Sequence, residues 1–233
     1  MYRRPELYDA IYSFKEYGQE AEAIDYLIQE HKKSPGNALL DVACGTGKHI
    51  WYLRDKYKCT GLDLSAELLR AARDRNPDVA FFPGDMRDFD LGEFYDVVTC
   101  LFSAIGYCRT FTELESAFMS FSKHLAPGGI AIVEPWIFPE NWLGSRIALN
   151  VVDEPEYKAS RMIRSGREGN LSVLRMSFMV GTPEGVECWE DTSELGLYTQ
   201  PEYEAAMKRA GLDPIFVEGG ITGRGLFIGS RGA

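Results

Sequence analysis

Apolar and polar positions along this chain follow two rhythms. From residue 19 to 136, short apolar runs alternate with longer segments whose apolar positions recur every three or four residues. Residues 19–33 place Ile24, Leu27 and Ile28 on one helical face, and SPGN at 34–37 stops that helix. Residues 38–45 then form a nearly continuous apolar run, the pattern of a strand buried in a parallel sheet. The same alternation predicts a helix over 48–57, strands over 59–64, 79–85, 95–103 and 130–136, and a helix over 66–75 with Ser65 as its N-cap. A further helix runs through 114–125, and Thr112 with Glu115 fits a capping box at its start.

The second rhythm begins near residue 140. Residues 158–166, 170–180 and 186–198 read as strands separated by Gly, Pro and Asn turns, with no helix between them. Thr199 and Glu202 make a second capping box for a helix over 201–211, and two closing strands at 215–220 and 225–230 flank a glycine-rich turn. Strands alternating with helices imply βαβ units. The expected fold is therefore an α/β, doubly wound, seven-stranded, mostly parallel sheet with a small antiparallel sheet inserted after strand 5. One domain over 1–233 is expected, with 140–197 as an inserted sheet for substrate binding or dimerisation.

Composition narrows the class. With 45% hydrophobic and 26% charged residues the chain has an ordinary globular balance. A net charge of -10 with no basic helix or tail argues against a nucleic-acid partner. No run of about 18 apolar residues is present, so no membrane span is expected. The N-terminus lacks the apolar run of a signal peptide, which makes a cytoplasmic enzyme the expectation. The five cysteines are odd in number, form no CxxC pair and are joined by only three histidines, so no metal site is expected and the thiols read as reduced.

The chemistry concentrates at DVACGTGKH, residues 41–49, between a buried strand and a helix. Gly45 and Gly47 allow a sharp bend and close backbone approach to a ligand beyond the carboxyl end of the first strand. A dinucleotide fingerprint would require a third glycine where Ile50 stands. The turn, led by Asp41, instead resembles motif I of the S-adenosylmethionine (SAM)-dependent methyltransferases. Asp63 ends the second strand, where a carboxylate can accept from both ribose hydroxyls. Asp85 ends the third, placed to accept from an adenine amino group while Met86 packs beside the ring. Three carboxylates at three successive strand ends form a far stronger signal than any one of them.

A closer resemblance rests on LLDVACGTG, GDMRDF, FSAIGY (102–107), LAPGG, VEPWIFPE (133–140), REGN (167–170), EYEAA and EGGITGRGLFIG (218–229). With these motifs the chain resembles the N,N-dimethyltransferases of nucleotide-linked amino sugars of the desosamine and mycaminose type, over nearly its whole length. The resemblance implies SAM as methyl donor, a dTDP-linked 3- or 4-aminohexose as acceptor, two successive methylations in antibiotic biosynthesis, and a homodimer. It implies that Tyr12 and Tyr17 cover the pocket, and that Ala43, Asp63, Leu64, Asp85, Met86 and the backbone at Leu101 hold SAM. It further implies that Arg224, with Arg161 and Arg164 from the inserted sheet, meets the diphosphate, a role suited to a planar guanidinium. Trp136 and Trp142, which flank the end of the fifth strand, are candidate walls of the sugar pocket. Tyr107, Tyr12 and Glu134 are candidate polar groups around the reacting amine, in a reaction driven mainly by proximity. The segments at 13–18 and 188–198 depart from the pattern of those relatives on the acceptor side. Two other readings share part of this evidence: a SAM-dependent methyltransferase for a different small acceptor, and a nucleotide-binding module without turnover.

Overall fold

The computed structural model describes residues 4–232. A short helix α1 (Pro5–Ile11) and helix α2 (Tyr17–His31) precede strand β1 (Ala38–Val42). Helix α3 (Lys48–Leu53), β2 (Lys58–Asp63), α4 (Ala66–Arg75), β3 (Ala80–Pro83), β4 (Tyr95–Cys100), α5 (Phe111–His124) and β5 (Leu125–Val133) complete the alternating half. Four strands then follow without a helix: β6 (Ile147–Asp153), β7 (Lys158–Glu168), β8 (Leu171–Thr182) and β9 (Gly185–Gly196). Helix α6 (Gln200–Arg209), β10 (Leu212–Val217) and β11 (Leu226–Arg231) close the chain.

Two sheets result. The larger has seven strands in the order β10-β11-β5-β4-β1-β2-β3, and the smaller is the meander β6-β7-β8-β9. In the larger sheet β11 pairs antiparallel with both β5 and β10, and the other pairings are parallel. The seven-stranded, mostly parallel sheet and the antiparallel sheet after β5 are the architecture that the two rhythms predict.

Both faces of the large sheet are covered, as parallel strands require. Alternate residues of β1 divide between two layers: Leu40 and Val42 pack with Phe118, Phe121 and Tyr203, whereas Leu39 packs with Ile24 and Ile28. The sheet order reverses between β1 and β4, which opens a crevice beyond their carboxyl ends.

Several local features differ from expectation. The capping box of α5 uses Thr110 and Glu113 rather than Thr112 and Glu115. The earlier start puts Leu114, Ala117, Phe118 and Phe121 on one buried stripe and lets Glu113 accept from the Arg109 and Thr110 amides. Helix α1 has only seven residues, too few to show a period; it forms by burying Leu7 and Ile11 against Val152, Met176 and Phe178 of the inserted sheet. Strand β6 escaped the pattern because its two faces are both apolar, with Ile147, Leu149 and Val151 exposed and Val152 buried. No helix among the described residues is long and apolar enough to cross a membrane.

Candidate active site

The crevice opens into a cavity of about 1140 Å3 lined by the ends of β2, β3 and β4, the turn after β1, the segment between α1 and α2, and the β10–β11 loop. A glycine bend forms its floor. Gly45 sits at φ 57° and Gly47 at φ 70°, left-handed conformations that side chains disfavour. A Cβ on Gly47 would lie 2.8 Å from Asn76 Nδ2, whereas one on Gly45 meets nothing within 4 Å because that face looks into the crevice. Asp63 locks the bend: one carboxylate oxygen accepts from the Gly45 amide at 2.8 Å and the other from Ser65 at 2.8 Å. Burial raises its pKa despite these amide donors. Asp63 still lines the cavity, so its remaining lone pairs face the space a ligand would fill.

Asp41 lies behind the bend, 2% exposed, with Thr99 Oγ1 donating to it at 2.8 Å. Its second oxygen is a buried polar atom with no partner among the described residues. Burial pushes its carboxyl up to about 6, against the nearby His49 and the Thr99 hydrogen bond. At the end of β3, Arg87 grips Asp85 through both oxygens, at 2.9 and 2.5 Å, and this hydrogen bonding lowers the Asp85 pKa.

Above the β1–β4 reversal a buried ion pair faces the cavity. Lys15, with 4% of its side chain exposed, donates to Glu20 at 2.7 Å and stands 4.1 Å from the centre of the Phe102 ring. His49 Nε2 meets the other Glu20 oxygen at 2.7 Å. Burial alone would raise Glu20, but the hydrogen bonds from His49 and Lys15 hold it below the ordinary carboxylate range. The pair therefore presents one cation and one anion beside the glycine bend. Its donor set fits the ammonium and carboxylate of an amino acid.

The opposite end of the cavity is different. From β4 onward the described lining carries no carboxylate and no histidine; it offers Phe102, Ser103, Tyr107, Trp136, Leu174, Leu195, Thr222 and Arg224. Arg224 donates to Ser103 Oγ at 2.8 Å and stacks over the Trp136 ring at 5.0 Å. A second cavity of about 390 Å3 lies beyond, bounded by Trp142, Arg146, Ser165 and Ser172, and it shares Trp136 and Arg224 with the first. The Trp136 Nε1 and Ser172 Oγ atoms are buried polar atoms with no partner among the described residues.

A methyltransferase-domain family profile matches residues 39–129. Over 98% of its length the chain is 40% identical to the dTDP-3-amino-3,6-dideoxy-alpha-D-glucopyranose N,N-dimethyltransferase of Streptomyces fradiae, 91% of which is covered. The chain belongs to the dTDP-amino-sugar N,N-dimethyltransferases. The crystal structure of DesVI from Streptomyces venezuelae superposes with a TM-score of 0.90 at 40% identity, covering 98% of both chains. SAM-bound CalS10, an amino pentose methyltransferase from Micromonospora echinaspora, gives 0.86 at 37% identity, over 97% of this chain and 96% of its own. This methyltransferase is accordingly SAM-dependent.

Within the methyltransferase the residues singled out from sequence divide into two groups. Tyr12, Ala43, Gly45, Asp63, Leu64, Asp85, Met86, Leu101, Tyr107, Trp136 and Arg224 all line the main cavity. Tyr17, Asp41, Gly47, Glu134, Arg161 and Arg164 stand outside its lining. Tyr17 packs edge-on to His49 at 4.9 Å, and burial raises its hydroxyl pKa. Gly47 caps α3 beneath the bend. Glu134 is 2% exposed and accepts from the Phe102 amide at 2.6 Å, so it faces the protein.

The two inserted-sheet arginines do not converge on the cavity. Arg161 is 4% exposed and donates to Tyr12 Oη at 2.8 Å and to Asn150 Oδ1 at 2.8 Å, which ties the inserted sheet to the N-terminal segment. Arg164 lies on the opposite face of β7 from Ile163, and Ile163 lines both cavities. Sequence reasoning missed Tyr8, Lys15, Glu20, Ser103 and Thr222 in the main lining and Arg146 in the second, which Trp142 also lines. Ser103 and Thr222 lie within the FSAIGY and EGGITGRGLFIG motifs without being singled out there, and the KEY tripeptide at 15–17, a charge pair opening a helix, was the local signal for Lys15.

Proposed function

We propose that the acceptor is the amine of a dTDP-linked 3- or 4-amino-deoxyhexose, methylated twice. The observation that carries this reading is the pair of cavities joined at Arg224 and Trp136. One is ringed by strand-end carboxylates suited to an adenosyl group; the other supplies arginines and indole rings suited to a nucleoside diphosphate. The S. fradiae relative acts, by its name, on a dTDP-3-amino sugar and adds two methyls.

SAM supplies an electrophilic methyl on a cationic sulfur. The chain's own work is to hold and align. Asp63 would accept from the ribose hydroxyls, Met86 would pack beside the base, and Lys15 with Glu20 would receive the amino-acid end. Arg224 binds the diphosphate from the shared wall, assisted by Arg146. With no carboxylate or histidine beside the acceptor end, the amine must arrive or become neutral without a strong base. Alignment is then the main source of rate, and well-oriented reactants can account for about 7–11 kcal/mol of barrier. Tyr107 orients the acceptor rather than removing its proton.

We further infer a homodimer formed through the outer face of the inserted sheet. Ile147, Leu149, Val151, Met162 and Met179 are exposed there. Arg164 and Arg175 pair on that face beside Ile147, and Glu190 lies opposite Ser177. Both charge signs around one apolar patch suit a self-complementary two-fold contact. Light scattering of wild type and Leu149→Lys tests it, with a monomeric variant expected. The enzymatic reading is tested by mass spectrometry of a dTDP-amino sugar after incubation with SAM. Two added methyls are expected; a substrate recovered unchanged, with methylation of another acceptor instead, would overturn it.

A further inference from the structure

The turn after β4 is built from two consecutive non-glycine residues in left-handed conformation, Phe102 at φ 53° and Ser103 at φ 59°. Such backbone is costly for residues with side chains and persists where neighbours impose it. Three contacts impose it here. Glu134 accepts from the Phe102 amide at 2.6 Å, Ser103 Oγ donates to the Pro135 carbonyl at 2.7 Å, and Arg224 donates to Ser103 Oγ at 2.8 Å. The second Glu134 oxygen accepts from Thr222 Oγ1, two residues from Arg224 on the β10–β11 loop.

These bonds close a ring through three segments that are distant in sequence. The turn, the end of β5 and the glycine-rich loop meet at one buried carboxylate, for which the described residues supply no ion-pair partner. Both of its oxygens are occupied and it lies outside the cavity lining, so it does not touch the reacting amine. Phe102 in turn meets the Tyr12 ring edge-on at 4.9 Å and carries Lys15 over its face. The turn therefore stands between the donor and acceptor sides of the cavity, and the ring through Glu134 and Arg224 holds it from the acceptor side.

We propose that Glu134 is the positioning residue that couples the diphosphate-binding loop to the methyl-transfer turn, fixing Arg224 relative to the crevice. This rests on the reading of Arg224 as the diphosphate contact. Glu134→Gln keeps the shape but removes the charge: its Oε1 can still accept from the Phe102 amide and its NH2 can donate to Thr222 Oγ1, so two charge-assisted hydrogen bonds are replaced by weaker neutral ones.

The test compares wild type, Glu134→Gln, Thr222→Val and the double variant by calorimetric titration with dTDP and with S-adenosylhomocysteine, and by steady-state kinetics. Glu134→Gln is expected to weaken dTDP and lower kcat by about tenfold each, with S-adenosylhomocysteine affinity held within about twofold and the pH profile unchanged in shape. Thr222→Val is expected to weaken dTDP by about fivefold, and the double variant to lose less than the product of the two single losses, because both act on one ring. Thr222 is on an exposed loop, so that variant keeps the test open if Glu134→Gln folds poorly. Wild-type dTDP affinity in Glu134→Gln, multiplying effects in the double variant, or an equal loss of both ligands would overturn the coupling. A missing limb in the pH profile would also overturn it, by making Glu134 a proton carrier. Failure of the wild type to bind dTDP would remove the nucleotide reading and this inference with it.

Discussion

The donor end and the acceptor end of the cavity are built on opposite plans. At the donor end each functional group sits on, or within two residues of, the strand that aims it: the bend after β1, Asp63 ending β2, Asp85 just beyond β3. Bonds within one βαβ unit, Asp63 to Gly45 across 18 residues and to Ser65 across two, hold these groups in place. At the acceptor end Arg224, Ser103 and Trp136 come from separate stretches of the chain and are aligned by contacts over more than 100 residues of separation, such as Arg224 to Ser103. One half is set by local turn geometry, the other by tertiary assembly.

The largest effect that would break this contrast is expected at Asp63. Asp63→Asn puts an NH2 against one of two amide donors and removes an anionic acceptor, so S-adenosylhomocysteine affinity should fall about 100-fold or more in a titration. A loss under tenfold would mean that the local carboxylate does not organise the donor end. Next is Arg224→Ala, for which KM of the nucleotide sugar should rise about 10–100-fold with S-adenosylhomocysteine affinity unchanged. Equal losses of both ligands would show that the two ends are not separable.

Asp41 sharpens the comparison through pH. Its folded pKa, about 6, is raised above the usual value for an aspartate, so the folded state binds its proton more tightly than the unfolded chain. The resulting stability is fully present below the unfolded pKa near 4 and is lost as pH rises through about 6. Relative to Asp41→Asn, wild-type stability in denaturant titrations should fall by up to about 1.4 kcal/mol per pH unit across that window. Parallel curves would remove the case for a buried, unpartnered carboxyl. The smallest effect is expected for Tyr107→Phe, with kcat lowered less than about tenfold, because general-base roles are worth about 100-fold or more.

Much of the fold was legible because its strands are short apolar runs between capped helices. The Ser65 and Thr199 caps, and every strand of the large sheet, follow from patterns within about a dozen residues. The misread cap at Thr112 shows the limit: two overlapping S/T-x-x-E frames compete locally, and only the buried stripe of α5 selects Thr110. Arg161 and Arg164 show the same limit at the site. The resemblance assigned both to the diphosphate, yet strand register turns one outward and buries the other between Tyr12 and Asn150. Glu134 was singled out from sequence as a polar group, but its partners, the Phe102 amide and the Thr222 hydroxyl, were not legible there.

What the sequence determined by itself is the glycine bend with its strand-end carboxylates: these are one-dimensional features, because a parallel strand delivers its C-terminal residue to the crevice edge. What only the tertiary structure decided is the Lys15–Glu20 pair beside the bend and the ring that joins Glu134, Thr222, Arg224 and Ser103. There the partners are separated by loops and an inserted sheet, and their meeting depends on register and packing rather than on spacing along the chain.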